Sequence, residues 1–149
     1  MNLTPSPKGR RMSGLTLLEM TVVIAVLLSL ITSLFIGANA WKRGSDRSTC
    51  LLNQRNIQLA VRSYQNLYGY NFGGRPYAEA GTQDIGTHLH QKGYIGDKLA
   101  ELIQGTTTCP GGGTYSRLTP DMFPLNGQLY VTCSLSAAQN HQPQNHADW

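Results

Sequence analysis

The chain has 149 residues and a formal net charge of +4 at pH 7, with 12 Lys or Arg and 8 Asp or Glu. Three of the basic residues, Lys8, Arg10 and Arg11, lie at the extreme N-terminus. The charge excess is therefore weak evidence for a nucleic-acid partner, and we expect none. The length suits one domain, and about a hundred residues remain for a globular part once the apolar N-terminal region is set aside.

The first feature along the chain is a basic segment, residues 1–14, followed by a long apolar stretch. No charged residue occurs from Met20 to Trp41. As a helix, this stretch would rise about 33 Å at about 1.5 Å per residue, and the hydrocarbon core of a bilayer is about 30 Å thick. A chain this small has no core that could hide such a helix. The sequence therefore predicts a membrane-embedded segment over residues 15–41.

Two simpler interpretations of this stretch leave Glu19 unexplained. A secretory signal peptide could end at Ala38-Asn39-Ala40, but the apolar stretch exceeds the usual h-region of about 7–15 residues. A plain membrane anchor fits the length, yet an acid inside a membrane segment costs about 2.5–3.5 kcal/mol at the centre and less near the end. Glu19 is therefore expected to have a function and a partner.

The stretch Gly14-Leu15-Thr16-Leu17-Leu18-Glu19, after a basic leader and before an uncharged helix, resembles the N-terminal signature of type IV prepilins and type II secretion pseudopilins. The resemblance implies that a prepilin peptidase cleaves after Gly14 and methylates the new amine of Leu15. Glu19 would then be the fifth mature residue, which is the characteristic acid of that family. The family usually has Phe at the position of Leu15.

The resemblance also implies partners and a location. Subunits of this kind bundle their apolar helices in a filament, where the amine of Leu15 would pair with Glu19 of a neighbour at one axial register. The expected partners are the prepilin peptidase and methyltransferase, other pilin-like subunits, an inner-membrane assembly platform and membrane lipid. The helix would cross the inner (cytoplasmic) membrane once, with the leader in the cytoplasm and the head outside. The subunit would then enter a periplasmic or extracellular filament. Lys42 and Arg43 balance the basic leader, so charge alone does not orient the helix.

Residues 42–70 are predicted to continue the helix as an amphipathic half. One stripe recurs at spacings of three and four and should face a sheet of the same subunit: Cys50, Gln54, Ile57, Val61, Tyr64 and Tyr68. Leu52 and Leu59 are either ordinary exposed leucines or a ridge for neighbouring subunits. Arg47, Arg55 and Arg62 form a third stripe, and a solvated helix face is favoured over a DNA-binding ridge as its explanation.

The middle of the chain predicts two short helices. One has Thr82 as a candidate N-cap and Gly93 as its C-terminal glycine, and the other lies between Gly96 and Gly105. Neither helix contains a nucleophile with a base beside it, and the chain is not expected to be an enzyme or to bind a cofactor.

The C-terminal part predicts a hairpin with strands at 114–118 and 128–132. Its pattern CPGGGTY…C resembles the C-terminal hairpin of a subset of pilin-like proteins. Export to an oxidising compartment favours a disulfide between Cys109 and Cys133. This bond would close a loop of about 25 residues and contribute roughly 3 kcal/mol. Cys50 is left over and is interpreted as a small apolar filler of the buried stripe.

No metal site is expected. Zinc needs four ligands, and three cysteines this far apart in sequence do not supply a set at short spacing. The tail, residues 136–149, is polar and aperiodic, and we expect it to be flexible. His141, His146 and Asp148 are therefore disfavoured as a metal-binding set.

The sequence as a whole predicts an α+β, pilin-like lollipop: a long N-terminal helix, with a membrane half and an amphipathic half, packed on a small antiparallel C-terminal sheet. Its expected function is that of a filament subunit of a type IV pilus or a secretion pseudopilus. The alternative is a monomeric exported or membrane-anchored binding protein. The predicted segments are 1–14 (leader), 15–41 (membrane and filament core), 42–70 (amphipathic helix), 71–135 (globular head with hairpin) and 136–149 (tail).

Overall fold

The computed structural model describes residues 16–147. The chain divides into two compact units between Ala40 and Trp41. We call the described part of the first, residues 16–40, the anchor unit and that of the second, residues 41–147, the head unit. The elements in chain order are α1 (Leu17–Tyr68), α2 (Ile85–Gln91), α3 (Asp97–Gln104), β1 (Tyr115–Arg117), β2 (Val131–Cys133) and α4 (Ser136–Gln139). The predicted α+β class is confirmed, with a 52-residue first helix and a two-stranded sheet.

The anchor unit consists of the first part of α1, and all its side chains are exposed. Among residues 16–147, α1 is the one helix long and apolar enough to cross a membrane, with a mean hydropathy of 2.5 over its most apolar window. The hydroxyls of Thr21 and Thr32 donate to carbonyl oxygens one turn earlier in the helix. These two polar side chains are thus satisfied within the helix, as an apolar surrounding requires. Length and composition alone also admit a signal sequence.

Within the head unit, α1 buries one face, and the predicted stripe is confirmed for five of its six members. The buried residues are Cys50, Gln54, Ile57, Gln58, Ala60, Val61, Tyr64 and Gln65. Tyr68, the last predicted member, is 45% exposed. Leu52 and Leu59 are exposed, as both interpretations of them require. Arg62 differs from the expected solvated face, since it donates to the carbonyl oxygens of Pro124 and Leu125.

One polar member of the buried face, Gln58, is held by hydrogen bonds to the chain entering β2. The Gln58 side-chain carbonyl accepts from the backbone N–H of Tyr130 at 2.9 Å, and its amide donates to the carbonyl of Gln128 at 3.0 Å. These bonds join α1 to the segment before β2. Packing of the helix on the sheet itself stays a prediction.

The hairpin is present but shorter than predicted. β1 and β2 pair antiparallel, with Tyr115 opposite Cys133 and Arg117 opposite Val131. The first strand lies within the predicted range, whereas the second begins three residues later than expected. Gln58 accounts for part of this shift, because it takes the N–H of Tyr130, which a longer strand would have offered to the chain after β1.

The two short helices lie where the sequence places them, with one corrected cap. The N-cap of α2 is Asp84 and not Thr82, because the Asp84 carboxylate accepts from the backbone N–H of Thr87 at 3.2 Å. α3 is bounded by Gly96 and by Gly105, which ends it in the left-handed conformation. Together with the buried face of α1 and the hairpin, α2 and α3 supply the core of the head unit.

Candidate functional site

The predicted processing site lies outside the described residues, because the structure begins at Thr16 and leaves out Gly14 and Leu15. Glu19, the predicted assembly residue, lies in the first turn of α1. Cys109 and Cys133, the predicted disulfide partners, both lie in the head unit and are buried. These positions define two places of interest: the start of α1 and the surroundings of the cysteines.

At the start of α1, Thr16 caps the helix. The backbone N–H of Glu19 lies 3.3 Å from the Thr16 hydroxyl oxygen, which accepts its hydrogen bond, and 3.0 Å from the Thr16 carbonyl. Thr16-Leu17-Leu18-Glu19 has the Thr-x-x-Glu spacing of a capping box, and a carboxylate is favourable near a helix N-terminus. The sequence analysis did not note this spacing or the favourable place of the Glu19 carboxylate in the first turn, although both were visible in the sequence. Within residues 16–147, its carboxylate forms no ion pair.

In the head unit, four side chains that can ligate metals converge at one point. The sulfur atoms of Cys50, Cys109 and Cys133 and a ring nitrogen of His141 all lie within 4.8 Å of one another. We call this set the Cys3His cluster. Cys50 is fully buried, and the other three residues are each 2% exposed. The three cysteines, although far apart in sequence, therefore lie together in the head unit.

Four different segments bring the Cys3His cluster together. Cys50 projects from the buried face of α1, Cys109 lies in the turn before β1, Cys133 ends β2 and His141 follows α4. The tail was expected to be flexible, yet α4 lies in it and His141 is buried. The reason is that the carbonyl of His141 accepts from the buried Gln54 amide at 2.7 Å, which ties the tail to α1.

The glycine run after Cys109 closes a tight turn against the cluster. The N–H of Gly112 donates to the carbonyl of Cys109, and the N–H of Cys109 donates to the carbonyl of Gly113, both at 2.7 Å. A Cβ at Gly111 would lie 2.8 Å from Cε1 of His141, and a Cβ at Gly113 would lie 3.0 Å from the sulfur of Cys133. Larger residues at these two positions would displace the cluster's side chains.

Hydrogen bonds order the donor atoms. The Gln54 amide that binds the His141 carbonyl also donates to the sulfur of Cys50 at 3.3 Å. The sulfur of Cys109 lies 3.3 Å from Nδ1 of His141. Gln54 therefore holds two members of the cluster from one position on α1.

Burial disfavours the ionised form of two of the thiols by raising their pKa. Burial raises the pKa of the Cys50 thiol to about 12, although hydrogen bonds from Tyr115 and Gln54 oppose the rise. Burial also raises the pKa of Cys133, against the opposing hydrogen bond from the backbone of Leu135. Ionised sulfur at these positions needs a positive charge beside it.

All three cysteines are free in the structure. The disulfide between Cys109 and Cys133 therefore stays a prediction without structural support. Cys50, interpreted from sequence as an apolar filler, lies against both of them. Sequence spacing could not reveal this set, because each member comes from a different element of the head unit.

Two other histidines have local partners. Nδ1 of His88 lies 3.2 Å from the Tyr64 hydroxyl and its Nε2 lies 3.0 Å from the carbonyl of Thr82, inside the core. His90 pairs with the exposed carboxylate of Asp97 at 2.7 Å. The two rings point to different surroundings and share no ligand position.

Comparison with models of known protein families, with curated proteins and with solved structures finds no match in any of the three.

Proposed function

We propose that the chain is a structural subunit of a type IV pilus-like or type II secretion pseudopilus filament, assembled through its N-terminal helix. The observation that carries the proposal is the position of Glu19 in the first turn of a helix whose following residues are uncharged and exposed up to Trp41. The stretch from Gly14 to Glu19 has the form that a prepilin peptidase recognises. A filament subunit needs these features together.

The exposed apolar face of the anchor unit needs a cover. Its side chains include Leu34, Phe35 and Ile36, each about two-thirds or more exposed. Apolar surface of this extent is costly in water. In the proposed function, lipid covers it before assembly and the helices of neighbouring subunits cover it afterwards. An inner-membrane platform would transfer the subunit from the first environment to the second.

Glu19 would register each subunit on the next. After cleavage, the methylated amine of Leu15 carries a positive charge, and in a bundle of apolar helices each unpaired charge is costly. Pairing the amine of one subunit with the Glu19 carboxylate of another offsets both costs at one axial position. The place of Glu19 in the first turn of α1, three residues after Thr16, offers a competing account, because an acid there is favourable without any neighbour.

Processing is tested by the intact mass of the chain recovered from membranes. The expected mature chain begins at Leu15 and carries one additional methyl group on its amine. A mature chain that begins at Trp41 would establish a signal peptide and remove the filament function. An uncleaved monomer in the membrane would support the anchored binding protein instead.

Assembly is tested by a pair of variants that separate the charge of Glu19 from helix capping. Glu19→Gln keeps a side chain suited to the capping box but removes the charge. Thr16→Ala removes the capping hydroxyl, at a cost of about 1 kcal/mol, and keeps the charge. Each variant's mass first confirms its cleavage, and electron microscopy then counts filaments. We expect Glu19→Gln to abolish filaments and Thr16→Ala to retain them, whereas the opposite pattern would assign Glu19 to capping alone.

A further inference from the structure

We propose that Cys50, Cys109, Cys133 and His141 form a closed structural zinc site in the head unit. The proposal concerns the head unit alone and stands whether or not the chain forms filaments. It rests on the convergence of four buried donor atoms, on the chemistry of that set and on the backbone shaped around it.

The spacing of the donor atoms suits one ion at their centre. Zinc–sulfur bonds of about 2.3 Å in a tetrahedral site place neighbouring sulfurs about 3.8 Å apart. The four donors here all lie within 4.8 Å of one another, and the sulfur of Cys109 is 3.3 Å from Nδ1 of His141. Small side-chain rotations would therefore complete a tetrahedral shell without moving the elements that carry the ligands.

The donor set selects the metal and its role. Three thiolates and one imidazole are a common ligand set of structural zinc sites, and soft sulfur ligands disfavour magnesium and calcium. The four residues are at most 2% exposed, which leaves no open position for water or a substrate. Such a site stabilises the fold and does not catalyse.

Groups around the donors already suit bound thiolates. The amide of Gln54 donates to the sulfur of Cys50 and to the carbonyl of His141, so it orients two ligands at once. Partners of this kind in other sites change metal affinity by about 10–100-fold. The glycines at 111 and 113 leave room for the His141 ring and for the sulfur of Cys133. The site thus accounts for glycine at position 111 and in part for glycine at 113, where the side chain of Leu135 also leaves no room for a Cβ.

Zinc and the disulfide exclude each other. A bond between Cys109 and Cys133 would consume two of the four ligands and leave Cys50 and His141 without a complete shell. One sample of protein therefore decides between them, because metal content and thiol state must change together.

The decisive measurement uses the full chain, purified from membranes in mild detergent without chelators. Elemental analysis should find one zinc ion per chain. All three cysteines should resist alkylation until a zinc chelator is added and should react afterwards. Cobalt(II) added after the chelator has removed the zinc and has itself been removed should give thiolate-to-cobalt charge-transfer bands. It should also give the visible absorption of a tetrahedral ion. These measurements need no variant, so a substitution that unfolds the head does not prevent the test.

Four variants test the assignment of the ligands. Cys109→Ser and Cys50→Ser should each lose stoichiometric zinc. His146→Gln is the matched control, because His146 lies in the same tail but contacts the carbonyl of Pro143, outside the cluster; it should retain one zinc per chain. Gln54→Ala should keep all four ligands and lower zinc affinity by about 10–100-fold.

Three outcomes would overturn the proposal. One is a Cys109–Cys133 disulfide in metal-free protein from the compartment where the head resides. Another is a chain with three reactive thiols that takes up no zinc when the ion is supplied. The third is iron in place of zinc. Loss of zinc in His146→Gln together with its retention in Cys50→Ser would also contradict the assigned ligands.

Discussion

The two parts of α1 share one helical backbone and differ in what surrounds their side chains. In the anchor unit every side chain is exposed, and the helix offers an apolar surface all round. In the head unit the same helix buries one face, and that face includes three glutamines. The first part needs a cover supplied from outside the chain, whereas the second finds its partners within it. Substitutions of the same chemistry should therefore have different effects in the two parts.

The largest expected difference comes from a matched pair of isoleucines. Ile57 is fully buried, whereas Ile31 in the anchor unit is 48% exposed. Ile57→Ala should lower the free energy of unfolding of the head by about 2–5 kcal/mol, because it leaves a cavity in a packed core. Ile31→Ala should change it by less than about 0.5 kcal/mol. Denaturant unfolding of the full chain in detergent, followed by the near-ultraviolet circular dichroism of the tyrosines, gives both values. Equal losses would show that the two parts are not energetically distinct.

A second contrast concerns the buried polar face of α1. Gln58→Ala leaves the buried backbone N–H of Tyr130 and the partly buried carbonyl of Gln128 without their side-chain partner. We expect a loss of about 1–3 kcal/mol in the free energy of unfolding. Asn56→Ala, at an exposed position of the same helix, is the control and should be nearly neutral. A neutral Gln58→Ala would mean that water replaces both bonds.

A smaller effect is expected at the cap of α2. Asp84 accepts from Thr87 and also pairs with Arg117 at 2.7 Å. Asp84→Ala should cost about 0.5–2 kcal/mol through the lost cap. Asp84→Asn keeps an acceptor and loses the charge, so it should cost less. If the two variants are equally destabilised in thermal unfolding, the ion pair with Arg117 matters more than the cap.

The smallest expected effect concerns Glu79 in the head unit, which differs from Glu19 in the anchor unit by having an ion-pair partner within residues 16–147. Glu79 has its partner within the chain, since Lys92 lies 2.7 Å away. The hydrogen bond from Lys92 lowers the pKa of Glu79, and the bond to Glu79 raises the pKa of Lys92. The contribution of the pair to stability is therefore present at neutral pH. It is lost as the pH falls through the lowered pKa of Glu79, and also as the pH rises through the raised pKa of Lys92.

An NMR titration of the Glu79 carboxyl measures this pairing. Lys92→Gln should move the pKa of Glu79 upward, toward its ordinary value. An unchanged pKa in that variant would show that the contact does not persist in solution.

The parts of the fold that sequence could predict depend on local pattern. The spacing from Cys50 to Tyr64 indicated the buried face of α1, and Gly96 and Gly105 bounded α3, because periodicity and caps act over a few residues. The start of β2 was misplaced because a side chain from a distant part of α1, Gln58, takes up the backbone before it.

The candidate sites show the same division. Glu19 stood out by local context alone, as an acid beside an uncharged stretch, and its capping box was equally readable. The Cys3His cluster could not be predicted from the sequence, because tertiary contacts bring Cys50 and His141 together and neither has a neighbouring ligand in sequence. His141 also lies in a tail whose composition indicates flexibility, and a buried bond to Gln54 outweighs that local preference.

The bond between the Gln54 amide and the carbonyl of His141 joins residues 87 positions apart. At about 5–20 residues per second, a ribosome needs roughly 4–17 s to make the chain between them. During that interval α1 has been made while Gln54 still lacks its partner His141. Closure of so long a loop is also a slow step of folding. The head can therefore complete its core only after the chain has been made as far as His141, and until then this face of the helix is open to water, to proteases and to chaperones.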